Sequence, residues 1–266
     1  MPGGDVLGCR LRRERNDPVK GQRFDAHGIP FDGLPPNPQR VGYPNEMRGR
    51  TGISALLPDD VEVVEQTSDV PLHTLLPAEY AAIARAVPKR RAEFATVRHC
   101  AREALARLGH PAAPIGNGKD REPLWPDGVV GSLTHCEGYR AAAVTSSPRI
   151  ASIGIDAEVH QPLPDGVDQG VTVAAEVPML RRLAAEYPAI HWGRVLFSAK
   201  ESIYKAWYPL TQAWLDFTDC ELVIDPEHGT FTGRILLPGT AIAGFDGRWS
   251  VTGGHVLTAV HQPGSR

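Results

Sequence analysis

Apolar side chains recur at three- and four-residue spacing through Val195, Leu196, Ala199, Ile203, Ala206, Trp207 and Leu210, which predicts a helix with one apolar face. Pro209 is expected to stop it just after Tyr208. Glu201 and Lys205 lie four residues apart on the opposite face, with Phe197, Ser198 and Tyr208 beside them. Taken with this helix alone they read as a solvated pair contributing roughly a few tenths of a kcal/mol. Earlier, residues 151–159 alternate strictly between apolar and polar and predict a half-buried strand. Ile153, Ile155, Ala157 and Val159 share one face of it. Asp156 and Glu158 share the other, about 7 Å apart at their Cα atoms by the strand rise. Such a pair lines an ordinary exposed strand face or converges on a cation; a hard, oxygen-seeking ion such as Mg²⁺ takes one to three carboxylates, and Glu201 is the obvious third.

The rest of the pattern is mixed. Folding is expected to begin near Ile53, with a strand at residues 61–64 and an Ala-rich helix from residue 78 that is interrupted at Pro88. A second helix runs from Pro88 to about Leu108. Phe94, Val97, Ala101, Ala104, Leu105 and Leu108 form its stripe, and Gly109 ends it. Arg91, Arg98 and Arg102 follow one row along the stripe's edge, with Lys89 and Arg90 at the helix start: a solvated flank, or a basic wall for a phosphorylated ligand. Residues 115–123 are a turn-rich loop without the spacing of a phosphate-binding P-loop. Residues 129–135 and 139–145 read as strands and, with the Asp156/Glu158 strand, predict an antiparallel meander with His135 at the end of its first strand. One or two short helices are expected over 171–187, and strands over 220–224, 229–236 and 249–260. Each half thus contains a long helix followed by strands, without a residue-level repeat.

Composition narrows the class. With 266 residues, 42% hydrophobic and 22% charged, the chain is an ordinary globular protein with room for one large domain or two small lobes. No run of about 18 apolar residues occurs, and the Gly-, Arg- and Pro-rich start has no apolar core segment, so neither a membrane nor a secretory role is expected. Four scattered cysteines give neither a disulfide framework nor zinc spacing, and a cytoplasmic location is expected. Residues 1–50 hold seven prolines, eight glycines and a surplus of three positive charges, and are expected to be a disordered or non-domain extension. The remainder then carries −6, which argues against general nucleic-acid binding.

Taken together, Gly131-Ser132-Leu133-Thr134-His135, Gly154-Ile155-Asp156-Ala157-Glu158 and the run Phe197–Ala206 resemble the 4′-phosphopantetheinyl transferases, in their monomeric two-lobed Sfp-type branch. Residues 88–102 are similar to the N-terminal-lobe helix of its actinobacterial members. The resemblance covers roughly residues 53–260. It implies an α+β fold of two similar lobes, each a long helix packed on a small, mainly antiparallel sheet, with an N-terminal lobe at 51–150 and a C-terminal lobe at 151–266. It also implies transfer of phosphopantetheine from coenzyme A to a serine of an apo acyl or peptidyl carrier protein, in fatty-acid, polyketide or nonribosomal-peptide synthesis, leaving adenosine 3′,5′-bisphosphate.

By the same resemblance Asp156, Glu158 and Glu201 bind Mg²⁺, with Mn²⁺ as a substitute, and Glu201 accepts the serine proton directly, through water or late. Lys205 contacts the pyrophosphate. Arg90, Arg98, Thr134 and His135 hold CoA phosphates. Relatives often carry a lysine where Asn117 stands here, so the nearest lysine, Lys119, is the candidate for that contact. Trp192, Phe197, Tyr208 and Arg194 are candidates for a carrier-docking face, apolar with a basic rim. A Mg²⁺-dependent phosphohydrolase and a non-catalytic CoA- or carrier-binding module are the alternatives. The hydrolase has no need of the arginine helix, and the binding module could dispense with Glu201 and Lys205.

Overall fold

The computed structural model describes residues 50–264, so the expectation for residues 1–49 lies outside the described residues. Two antiparallel sheets carry the architecture. The first, of order β1-β3-β2, comprises β1 (Glu62–Gln66), β2 (Val130–Cys136) and β3 (Tyr139–Thr145). The second, of order β4-β8-β7-β6-β5, comprises β4 (Ile150–Val159), β5 (Cys220–Asp225), β6 (Thr230–Ile235), β7 (Gly244–Thr252) and β8 (His255–Pro263). The short α1 (Tyr80–Ile83) leads into α2 (Pro88–Arg107), which lies on the first sheet; α3 (Val167–Val171) and α4 (Val177–Glu186) precede α5 (Trp192–Thr211), which lies on the second. This is the α+β arrangement that the sequence implied.

β3 is buried along its whole length because small side chains let both of its faces be covered. Ala142 and Val144 pack against Cys100, Ala101, Ala104 and Leu105 of α2. Ala141 and Ala143 face the other way, into a core with Ile53, Leu57, Ile153, Ile155, Leu257 and Ala259. That second core takes residues from both sheets, so the sheets are buried against common side chains.

The expected meander is corrected. β2 and β3 form a hairpin closing at Cys136↔Tyr139, with Gly138 in its turn at φ 74°, but β4 pairs with β8 instead, in register Asp156↔Thr258. The cause is occupancy: β1 already takes the other edge of β3. β4 instead lies beside β2 with no ladder between them, and side-chain hydroxyls replace it. Ile155 donates its N–H to Ser132 Oγ at 3.1 Å, and Ala157 donates to Thr134 Oγ1 at 2.9 Å. Buried amides at a sheet edge are thereby satisfied. The single strand expected over 249–260 is likewise two strands, β7 and β8, turning at Gly253-Gly254, both at positive φ.

The polar face of β4 is covered by helix, which corrects the half-buried expectation. α5 crosses so closely that a Cβ on Gly154 would stand 1.8 Å from Ser202 O, and Ser152 Oγ donates to Ala206 O at 2.6 Å. Nor does Pro209 stop α5. Its fixed φ suits a helix and it removes one backbone bond, so the helix runs on to Thr211, where Gln212, at φ 52°, donates its N–H to Tyr208 O. Leu210, expected on the apolar face, is exposed.

Lys200 anchors α5 from within. Its ammonium donates to Glu176 at 2.9 Å, Val171 O at 2.8 Å and Phe217 O at 2.9 Å, while Glu176 accepts the N–H groups of Leu222 and Val173. Both charges are excluded from water. Among the described residues no helix is long and apolar enough to cross a membrane.

Gly154→Ala is expected to cost about 1–3 kcal/mol through overpacking, because helix backbone must shift, and to lower the melting temperature in thermal denaturation by at least ~2 °C. Lys200→Met strands Glu176 without its counter-charge. Denaturant titration is expected to show a loss of about 3–5 kcal/mol, and a loss below ~1 kcal/mol would contradict the anchoring role.

Candidate active site

The β4–α5 contact brings the acidic strand face against the helix face that carries Glu201 and Lys205. Asp156 is buried and accepts from two elements: Lys205 Nζ at 2.7 Å and Thr134 Oγ1 at 3.3 Å reach Oδ1, and Ser198 Oγ reaches Oδ2 at 2.7 Å. Lys205 also donates to Ile155 O at 3.1 Å. Glu158 accepts from Arg194 Nη1 at 2.9 Å, and the same guanidinium donates to Gln161 O and Pro162 O, so it fixes both the carboxylate and the chain leaving β4. The simple solvated pair is therefore corrected: the Lys205 ammonium is drawn to Asp156. Among the described residues the Glu201 carboxylate has no hydrogen-bond or ion-pair partner.

Negative charge is in excess here. Burial, followed by the nearby Asp156 carboxylate, pushes Glu201 up to about 7. The same two causes push Glu158 up to about 7 against the pull of Arg194. Burial alone would lower the Lys205 ammonium, but Asp156 and Glu201 more than offset it and hold it above its usual value. Among the described residues no group of three or more His, Cys, Asp or Glu side chains is gathered closely enough to hold a metal ion as it stands. The donor chemistry nonetheless fits a hard cation: the donors are all carboxylate oxygens, two of them are disfavoured as anions by burial and a neighbouring carboxylate, and one has no hydrogen-bond or ion-pair partner among the described residues.

Across the hydroxyl seam lies a basic wall. Arg90 Nη1 contacts His135 Nε2 and stands 3.7 Å from Glu93. A guanidinium only donates, so Nε2 accepts and the imidazole proton sits on Nδ1, 3.8 Å from Glu93 Oε2. Burial, then Arg90, lowers His135 to about 3 and keeps it neutral. Arg98 is deeply buried over the Phe94 ring and donates to Ile115 O at 3.0 Å and to Asn117 Oδ1, which ties the turn-rich loop to α2. The other two arginines of the row are structural. Arg91 donates to Ala84 O and Ala86 O, and Arg102 pairs with buried Glu79 at 2.7 Å. Lys119 is exposed beside Asp120, whose carboxylate also accepts from Tyr208 and so links the loop to α5.

The expected docking face is corrected at three positions. Trp192, Tyr208 and Arg194 are buried, Trp192 edge-on to Trp249 and Arg194 on Glu158. Phe197 is half-buried and stacks on Phe217. Several contributors carried no signal of their own. Ser132 satisfies a backbone amide of β4, and Thr258 is brought opposite Asp156 only by the pairing of β8 with β4. An aromatic group of Tyr204, Tyr208 and Trp214 covers the end of α5 beyond Lys205, with Trp214 half-exposed. Its helical members were legible at i, i+4 spacing, but Trp214 lies past the helix end.

Two family models match this chain: the 4′-phosphopantetheinyl transferase N-terminal domain over residues 78–145, and the 4′-phosphopantetheinyl transferase superfamily over residues 152–260. The chain is 52% identical over 216 residues to 4′-phosphopantetheinyl transferase Svp of Streptomyces mobaraensis, covering 78% of this chain and 88% of that protein. It is 48% identical over 224 residues to 4′-phosphopantetheinyl transferase PptT of Mycobacterium tuberculosis, covering 79% and 97%. Enterobactin synthase component D of Salmonella typhi is 38% identical over 120 residues, 44% of this chain and 48% of that protein. Carboxylates and a lysine on one side of the seam, a basic wall on the other and this degree of identity give one conclusion: the chain belongs to the 4′-phosphopantetheinyl transferase superfamily.

Proposed function

We infer that this chain transfers 4′-phosphopantetheine from coenzyme A to a serine hydroxyl of an apo acyl or peptidyl carrier protein, with Mg²⁺, or Mn²⁺ in its place, as the metal. The observation that carries the reading is the Lys205–Asp156 pair at the β4–α5 contact, flanked by Glu158 and Glu201, with Arg90 and His135 one strand away. In the reaction the serine oxygen bonds to the β-phosphorus of the CoA pyrophosphate. The bond from that phosphorus to the bridging oxygen breaks, and adenosine 3′,5′-bisphosphate leaves with that oxygen on its 5′-phosphate.

Each residue has a task that its surroundings support. Lys205 has three N–H donors and commits two, to Asp156 and Ile155 O, which leaves one for a pyrophosphate oxygen. Glu201 accepts the serine proton on its carboxylate. Among the described residues it has no hydrogen-bond or ion-pair partner, so an oxygen is open to the serine hydroxyl. Asp156, Glu158 and Glu201 would hold the cation, which when bound supplies positive charge for the developing phosphate charge. Arg90 and the neutral His135 form the wall for the 3′-phosphate, since a guanidinium fork suits a phosphate monoester. Arg98 and Thr134 stand behind that wall, and Lys119 is exposed on the loop that Arg98 ties to α2. One chain supplies both walls, in keeping with a monomer.

Incubation of an apo carrier protein with the full chain, CoA and Mg²⁺ is expected to add the mass of one phosphopantetheine, read by intact-mass spectrometry. EDTA is expected to abolish the gain, and Glu201→Ala to slow it at least ~100-fold. Cleavage of CoA with no modified carrier would mean a hydrolase instead. A second prediction concerns pH. Glu201 sits above its unfolded value of 4.5, so the folded state binds more protons and loses stability as pH rises from 4.5 through about 7. Without divalent cations, Glu201→Gln is expected to melt a few degrees higher than wild type at pH 8 and at nearly the same temperature at pH 5. Equal melting at both would refute the charge excess.

A further inference from the structure

We propose that Ser198 is a positioning residue of the transfer reaction, fixing the Asp156 carboxylate from behind through a buried hydroxyl pair with Thr258. The inference rests on the reading that Asp156 helps to hold a divalent cation. Ser198 and Thr258 are both fully buried, and Asp156 nearly so. Ser198 Oγ lies 2.7 Å from Asp156 Oδ2 and 3.0 Å from Thr258 Oγ1. Hydrogen-bond direction follows from inventory. A carboxylate accepts, so the single Ser198 proton goes to Asp156, and the single Thr258 proton goes to the Ser198 carbonyl oxygen at 2.9 Å or is shared with Ser198 Oγ at 3.0 Å.

The three residues come from three elements, β4, β8 and α5, and Thr258 stands directly opposite Asp156 in the ladder. The two carboxylate oxygens are held differently. Oδ1 takes Lys205 and Thr134, whereas Ser198 is the donor to Oδ2 among the described residues. Without Ser198, that oxygen keeps no buried donor and the carboxylate can turn about its terminal torsion, for which a broad, two-fold preference offers little resistance. Lys205, bonded to the other oxygen, would be released from its place at the same time. Ser198 thus acts on the chemistry without touching substrate, as partners behind metal ligands do; losing one typically costs ~10- to 100-fold in metal affinity.

The test measures Mn²⁺ binding by electron paramagnetic resonance with the full chain and CoA present, for wild type, Ser198→Ala and Thr258→Val. Melting temperature and CoA affinity in EDTA are measured alongside. Ser198→Ala is expected to raise the Mn²⁺ dissociation constant at least ~10-fold while CoA affinity in EDTA stays within about twofold, and Thr258→Val to raise it by a smaller factor. A purely structural serine would lower the melting temperature and leave Mn²⁺ binding unchanged, which would overturn the proposal. Should Ser198→Ala fail to fold, an unshifted Mn²⁺ constant in Thr258→Val overturns it equally. Wild type that binds no Mn²⁺ yet transfers in EDTA would overturn the cation reading itself, a distinct result from a wild type that binds and a variant that binds as tightly.

Discussion

The molecule depends on how closely α5 approaches β4. With hydrogen at the Cα of Gly154, helix backbone can lie against strand backbone, and no side chain intervenes between the acidic strand face and the helix. That approach is what lets Lys205 reach both Asp156 and the carbonyl beside it, and Ser198 reach the far oxygen. It also places Glu201 where burial and a neighbouring anion disfavour its charge. A strand with ordinary side chains at position 154 would hold the helix off by a layer of atoms, and the carboxylates would face water.

The second constraint is the seam between the sheets. Two edge strands meet without sharing backbone hydrogen bonds, and Ser132 and Thr134 of β2 serve the outward amides of β4. Thr134 both accepts from the backbone of Ala157 and donates to Asp156, so the seam sets strand position and carboxylate direction together. The common core around Ile53, Ala141 and Ile155 keeps the edges in register from behind. Arg90 on α2 and His135 on β2 therefore stand at a fixed place relative to acidic residues on β4 and α5, which transfer of a phosphoryl group from a pyrophosphate to a serine requires.

Charge is distributed unevenly by design of the fold. Lys200 and Glu176 neutralise each other in a sealed network one residue from Glu201, so adjacent positions on one helix have opposite fates: one anchors, the other has no hydrogen-bond or ion-pair partner among the described residues. The arginine row shows the same division. Arg91 and Arg102 are consumed by backbone carbonyls and Glu79, Arg98 by the loop, and Arg90 contacts His135 and remains partly exposed.

The long helices, most of the strands and the identity of the principal charged residues were legible in the amino-acid order, because they follow from periodicity and from residue types that few alternatives satisfy. Asp156, Glu158, Glu201 and Lys205 were legible as groups on a strand and a helix. What they meet depends on the packing of distant elements. Strand partners depend on which edges are free, so β4 went to β8 and left β2 to a hydroxyl seam. The hairpin turn at Gly253-Gly254 was written in the chain, yet lay inside a run of apolar residues that reads as one strand. The burial of Trp192, Tyr208 and Arg194, the clamp of Arg194 on Glu158 and the role of Ser198 and Thr258 come from residues far apart in sequence. Local pattern cannot encode such contacts, because a hydroxyl or a guanidinium acquires its partner only when the backbone has been folded around it.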